Sequence, residues 1–173
     1  MSKLYPFKTY YTEKRWLTYY YQIELILASN SKKILVIGDA DGLMTTALKH
    51  IRPNFKIDTF DIREGFTYQG DVKEISNIVK KKYDCIVCCQ VLEHIEYKFF
   101  KSILEQFKII ADKVVISVPI FNGKQCQYHK WEVNDGVVLL KDVEDIFQET
   151  YNECNKQIKL KRFLFLTNFT YDD

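Results

Sequence analysis

The chain has 173 residues, 47% hydrophobic and 28% charged, with 25 basic against 23 acidic side chains for a net charge of +2. That composition excludes wholesale disorder, and at this length roughly 70% of the extended chain's surface is buried, enough for one core. The balanced charge gives no argument for a nucleic-acid or membrane partner, and no apolar run approaches the roughly 18 residues that span a bilayer. The opening residues, Met1 to Lys8, lack the apolar core of a signal peptide, so a cytoplasmic location is expected.

In chain order, Glu13 to Ala28 reads as an amphipathic helix, with Trp16, Tyr20, Ile23 and Leu27 at helical spacing and Thr12 as its N-cap. Lys33 to Ile37 is a continuous apolar strand, and the turn Gly38-Asp39-Ala40-Asp41-Gly42 follows it. Leu43 to His50 reads as a helix closed by Pro53, and Phe55 to Phe60 as a second strand ending at Asp61. Asp71 to Lys81 patterns as a helix on Ile75, Ile78 and Val79, and Tyr83 to Cys89 as a buried strand. Phe99 to Ala111 is a helix with Phe100, Ile103, Leu104, Phe107 and Ile110 inward; Lys113 to Val118 is a strand stopped by Pro119. Residues 121–137 form a polar loop, Asp142 to Tyr151 a helix, and Ile158 to Phe169 a β-rich end with no turn signal. Continuously apolar strands alternating with helices predict a doubly wound, mostly parallel α/β sheet with an N-terminal helical extension and a shortened C-terminal strand region. The expectation is one domain over 1–173, with 1–30 as a helical lid or extension. Tyr5, Tyr10, Tyr11, Trp16, Tyr19, Tyr20 and Tyr21 give that extension more aromatics than one buried face requires, so a homodimer contact there is the other reading.

Three of the five cysteines, Cys85, Cys88 and Cys89, sit in a strand, where Cys85 and Cys88 face opposite ways. They are expected to be buried reduced thiols rather than a redox or zinc pair. Cys126-x-x-His129 has metal-ligand spacing, but no second pair completes it, and no metal is expected. The clusters Lys80-Lys81-Lys82 and Lys159/Lys161/Arg162 are short enough to be solvated faces.

Ligands of open α/β sheets sit beyond the carboxyl ends of the strands, and the informative residues fall there. The small residues Gly38 to Gly42 let backbone approach a ligand; Asp61 can accept from both hydroxyls of a ribose; Asp71 can accept from an exocyclic amine. A dinucleotide would set its pyrophosphate on the helix N-terminus, where Asp39 and Asp41 would repel it, and Leu43 stands where the third fingerprint glycine is needed. S-adenosylmethionine (SAM) carries a sulfonium and an ammonium and no phosphate, so charge favours it over NAD.

The ordered set Ile34-Leu35-Val36-Ile37-Gly38-Asp39-Ala40-Asp41-Gly42, Asp61, Gly70-Asp71-Val72 and Tyr83-Asp84-Cys85-Ile86-Val87-Cys88-Cys89-Gln90-Val91-Leu92-Glu93-His94 resembles the class I SAM-dependent methyltransferases. Its Leu-Glu-His ending resembles their type 11 branch. The resemblance implies that Gly38, Asp39 and Ala40 pass under the methionine part of SAM. It implies that Asp61 binds the ribose, Ile62 packs on the adenine, and Asp71 and Val72 hydrogen-bond its edge. The backbone at Cys89 and Gln90 would face the ammonium. Two positions depart from the family: Val36 stands where an acid is usual, and Ala40 replaces the middle glycine. A third departure is the short C-terminus, which suggests a strand missing or supplied by a partner.

Methyl transfer from a sulfonium needs positioning first, and a base for an O or N acceptor. His129, beside Trp131 and Glu132 in the loop after the fifth strand, and His94 are the catalytic candidates; His50 reads as a surface residue near a helix end. Family analogy implies a SAM-dependent transfer to an O or N atom of a small-molecule or glycan-type substrate. The alternatives are a non-catalytic Rossmann-like binding module and, behind it, an NAD-linked oxidoreductase.

Overall fold

The computed structural model describes residues 12–39, 41–123, 126–159 and 162–170. Seven strands form one sheet in the order β3-β2-β1-β4-β5-β7-β6. The first five in chain order are β1 (Lys33–Ile37), β2 (Lys56–Asp61), β3 (Tyr68–Gln69), β4 (Tyr83–Cys89) and β5 (Ala111–Pro119). All their pairings are parallel. Both neighbours of β1 are in register with it, Ile37 lying opposite Phe60 on β2 and Cys88 on β4. That register brings Gly38, Asp61 and Cys89 to one edge of the sheet. The chain leaves β1 toward β2 on one side and returns to β4 on the other, so this edge holds the topological switch point.

Alternation along the strands sorts the core into two layers. Ile34 and Val36 of β1, with Cys85 and Val87 of β4, pack under α1 (Glu13–Ala28) and α2 (Leu43–Ile51) through Leu25, Ile26, Met44 and Leu48. Leu35, Ile37, Ile86 and Cys88 face the opposite layer of α3 (Ile75–Ile78), α4 (Phe100–Ile110) and α5 (Leu140–Tyr151), which contribute Ile75, Phe100, Phe107, Val143 and Phe147. Cys85 and Cys88 thus lie on opposite faces of the sheet, and all five cysteines are free.

The structure corrects three details. The Thr12 hydroxyl caps α1, accepting from Arg15 N at 3.4 Å, but the buried face is Thr18, Gln22, Leu25 and Ile26, while Trp16 and Tyr20 stay 46% and 58% exposed. The helix over 71–81 shrinks to a 3-10 turn, Val72–Glu74, and the single turn of α3. Gln106 of α4 is the reason: its amide donates to Lys73 O and accepts from Ser76 N, so backbone groups that would extend the helix are satisfied from a neighbour. The C-terminal region makes two short strands, β6 (Asn155–Lys159) and β7 (Phe163–Thr167), paired antiparallel with each other, and β7 pairs antiparallel with β5. Both C-terminal strands of the sheet are thus supplied by this chain among the described residues.

The cluster Lys80-Lys81-Lys82 acts locally, whereas Lys161 and the Lys159 side chain lie outside the described residues. Lys81 pairs with Asp58 at 3.3 Å, and Lys80 and Lys82 donate to the carbonyls of Ser76 and Ile109. Among the described residues, no helix is long and apolar enough to cross a membrane.

Candidate functional site

A cavity of about 1160 Å³ opens at the carboxyl ends of β1, β2 and β4. Gly38, Asp39, Asp61, Ile62, Asp71, Val72, Cys89 and Gln90 all line it, and so do His94 and His129. Ala40 lies outside the described residues, as does Tyr11. Five separate segments, one after each of β1 to β5, deliver these residues to the carboxyl ends of the parallel strands.

Gly38 has φ +76°, and a Cβ there would stand 2.3 Å from Val91 Cγ2. Only glycine gives both the left-handed backbone and the clearance. The two acids of the turn do not point free charge at the cavity. Asp39, buried, accepts from Thr45 N at 3.1 Å. Asp41 accepts from Leu43 N at 3.0 Å and from the Tyr19 hydroxyl at 2.9 Å, tying α1 to the turn. The first-turn N–H groups of α2 that a diphosphate would use are therefore already occupied by carboxylates. Burial raises the Asp39 carboxyl, against the lowering effect of its Thr45 hydrogen bonds.

At the end of β2, Asp61 is gripped by Arg63: Nε donates to Oδ1 at 2.9 Å and Nη2 to Oδ2 at 2.8 Å, with Arg63 N adding a bond to Oδ1. Burial raises this carboxyl, but the Arg63 bonds and charge outweigh it and hold it below its ordinary value. Ile62 beside it is 69% exposed on the cavity wall, an apolar surface that no other side chain covers enough to bury. Asp71 caps the following turn by accepting from Lys73 N, and its second oxygen pairs with Lys73 Nζ at 3.1 Å. Gln90 takes a left-handed backbone, φ +59°, and its amide donates to Ser117 Oγ at 3.1 Å, so the chain turns at the end of β4.

Helix α1 contributes Arg15, Tyr19 and Gln22 to the cavity wall. A second cavity of about 510 Å³ adjoins the first, sharing Arg15, Gln90, Cys126 and His129, and is also lined by Glu132, Arg162 and Phe163.

His129 stands where the two cavities meet, and His94 lines the larger one beside it. His129 is held by Glu132, with Nδ1 2.7 Å from Oε1; this buried carboxylate also accepts from Cys126 N at 3.0 Å. His94 Nδ1 lies 3.0 Å from Tyr128 O, and the two imidazoles pack edge to face, 5.1 Å between centroids. Burial lowers the His129 imidazole below its usual value although Glu132 pulls the other way. His50 is exposed in the last turn of α2 and takes no part.

Two residues of the candidate site were not singled out by the sequence reading. Glu93 is fully buried, neither of its carboxylate oxygens has a hydrogen-bond partner, and burial pushes its carboxyl up to about 8. Glu132 is the other, since its hold on His129 spans only three residues but shows its purpose only when both side chains are placed. The available signal was Glu93 between Leu92 and His94 in an apolar stretch, and Glu132 three residues after His129. Among the described residues, Glu93, His94 and His129 offer ligand atoms all within 4.8 Å of one another.

No protein-family model and no curated protein matches the chain. Solved structures do. An O-methyltransferase family protein from Burkholderia thailandensis superposes with a TM-score of 0.70 at 8% identity, over 92% of this chain and 57% of that one. The N-methyltransferase NodS from Bradyrhizobium japonicum WM9, in complex with S-adenosyl-L-homocysteine, gives 0.63 at 16% identity over 90% and 87%. The small RNA methyltransferase HEN1 gives 0.69 at 13% identity over 95% of this chain and 27% of that one. The chain thus spans just over half the length of the first and about a quarter of the last. The likeness establishes a class I SAM-dependent methyltransferase-like fold.

Proposed function

We propose that the chain is a SAM-dependent methyltransferase, akin to the type 11 branch, moving a methyl group to an O or N atom of a small-molecule or glycan-type substrate. One observation carries the reading: eight residues picked out along the sequence for cofactor contact converge on a single cavity at the switch point. Asp61 receives the ribose hydroxyls, Ile62 the adenine face, and Asp71 with Val72 the adenine edge; Gly38 and the backbone at Cys89 and Gln90 border the methionine end. NAD is disfavoured because Asp39 and Asp41 already cap α2 where its pyrophosphate would bind. Neighbouring folds named for O-, N- and RNA-methyl transfer show that the fold does not choose the acceptor, so its class rests on analogy.

His129 is the base of this reading. With Nδ1 donating to Glu132, its Nε2 carries the lone pair, and that ring lies between the cofactor cavity and the adjoining one. His94, packed on it, is the second candidate. The test is titration of wild type and Asp61→Ala with S-adenosylhomocysteine. Losing two charge-assisted hydrogen bonds of about 1.5–3 kcal/mol each weakens binding at least tenfold. Equal affinities would remove Asp61 from the cofactor site. Binding by neither protein would leave a Rossmann-like binding module, with Val36 in place of the usual acid.

A further inference from the structure

We infer that the smaller cavity is the acceptor site and selects an anionic small molecule, a carboxylate or phosphate on an apolar body, with Arg162 receiving the anion. This names the substrate class of the proposed methyltransferase and rests on that reading. Backbone fixes Arg162 before any ligand arrives. Ile120 N donates to Arg162 O at 2.6 Å, and the next residue, Phe163, opens β7 opposite Pro119 of β5. Arg162 is half-buried and lines the smaller cavity. Among the described residues, no carboxylate pairs with its guanidinium. An arginine held in a cavity without a counter-ion is ready to take one from a ligand. Its planar fork matches the paired oxygens of a carboxylate or phosphate.

The rest of the lining agrees. Arg15 brings a second guanidinium to the same cavity. The carboxylate of that lining, Glu132, is buried and committed, accepting from Cys126 N at 3.0 Å and standing 2.7 Å from His129 Nδ1. Two arginines against one engaged carboxylate leave the lining positive, which concentrates anions and repels a cationic amine. A neutral glycan would leave Arg162 without a partner. Pro119, Ile120 and Phe163 supply the apolar wall for the body of the ligand, and a volume of about 510 Å³ is that of a small-molecule site. Gln90 and His129 line both cavities, so an acceptor seated on Arg162 extends toward the base and the cofactor. Arg15 also lines both, whereas Arg162 lines the smaller cavity and not the larger. Arg162 is therefore the residue that separates acceptor binding from cofactor binding.

The test is an NMR titration of the full chain with benzoate, phenyl phosphate and the neutral isostere benzamide, on wild type, Arg162→Gln and Arg162→Lys. At least one anion is expected to bind at least tenfold more tightly than benzamide and to shift the Arg162 Nε–H and His129 ring signals. The tighter of the two anions names the group the site prefers. Arg162→Gln should abolish the preference and Arg162→Lys, charged but without the fork, should keep part of it. Both variants should melt with the wild type, showing that lost binding is not lost folding. Both should bind S-adenosylhomocysteine within about twofold of it, since Arg162 does not line the cofactor cavity. Benzamide binding as tightly as both anions, no saturable binding by either anion, or a preference undiminished in Arg162→Gln would each overturn the proposal. S-adenosylhomocysteine is titrated separately into the same protein. Its binding without an anion preference would refute the acceptor assignment alone, whereas its failure to bind would refute the cofactor reading and the acceptor role with it.

Discussion

Arg63 holds both oxygens of Asp61 in a two-pronged grip, 2.9 Å from Nε to Oδ1 and 2.8 Å from Nη2 to Oδ2. The carboxylate assigned to the ribose is therefore engaged before any ligand arrives. A partly exposed pair of this kind contributes up to about 1 kcal/mol. The guanidinium and the ribose hydroxyls compete for the same lone pairs, so Arg63→Ala should bind S-adenosylhomocysteine as tightly as wild type or up to about fivefold more tightly. Weaker binding in that variant would mean that Arg63 touches the cofactor itself.

The same pair sets a pH dependence. Arg63 holds the Asp61 carboxyl below its ordinary value of 3.8. A depressed carboxyl adds stability that is fully present above that ordinary value and is lost as the pH falls through the folded-state value. Thermal melts of wild type and Arg63→Ala should differ most near neutrality and converge below about pH 4. A gap that persists or widens in acid would assign the difference to packing of Arg63 on Phe66, whose ring centroid lies 5.3 Å away.

Gly38 is the position in the first turn least able to change. A methyl group there meets Val91 Cγ2 at 2.3 Å, and its φ of +76° is strained for any L-residue. Gly38→Ala should lower stability by about 1–3 kcal/mol in denaturant melts. Gly42, equally left-handed at φ +72° but with open space around its Cβ position, should cost less on the same substitution. The reverse order would contradict the turn geometry.

Glu132 is a positioning residue for His129. Nitrogen chemical shifts of the imidazole at neutral pH should show His129 as the Nδ1–H tautomer, because a carboxylate accepts from that nitrogen at 2.7 Å. Glu132→Ala should shift it toward the Nε2–H form that free imidazole prefers. It should leave S-adenosylhomocysteine affinity within about twofold, since Glu132 lines only the smaller cavity. An unchanged tautomer would remove Glu132 from this role.

Much of this architecture was legible along the chain because local signals agreed with the fold. Glu13–Ala28 carries its cap and Lys33–Ile37 its apolar run in the local sequence, and both elements form where expected. Where the reading departed, a distant residue decided the matter. Gln106 cut short the helix expected over 71–81. The sheet preferred the small and aliphatic side of α1, which packs flat on Val36 and Val87, over the bulkier Trp16 and Tyr20. The β6–β7 pairing lacked a turn dipeptide to announce it, and its place is set by β5, to which β7 pairs from Val115 to Pro119. The cofactor residues could be found because each ends a strand or opens the next element. The orphaned oxygens of Glu93 could not, because only packing shows that no donor reaches them.

Cofactor choice is the claim on which the rest depends, and calorimetric titration with S-adenosylhomocysteine, with NAD in parallel, tests it most directly. Carboxylate-capped α2 and an apolar wall at Ile62 predict saturable S-adenosylhomocysteine binding at micromolar concentration and no heat from NAD. Binding of NAD, or silence from both, would contradict it.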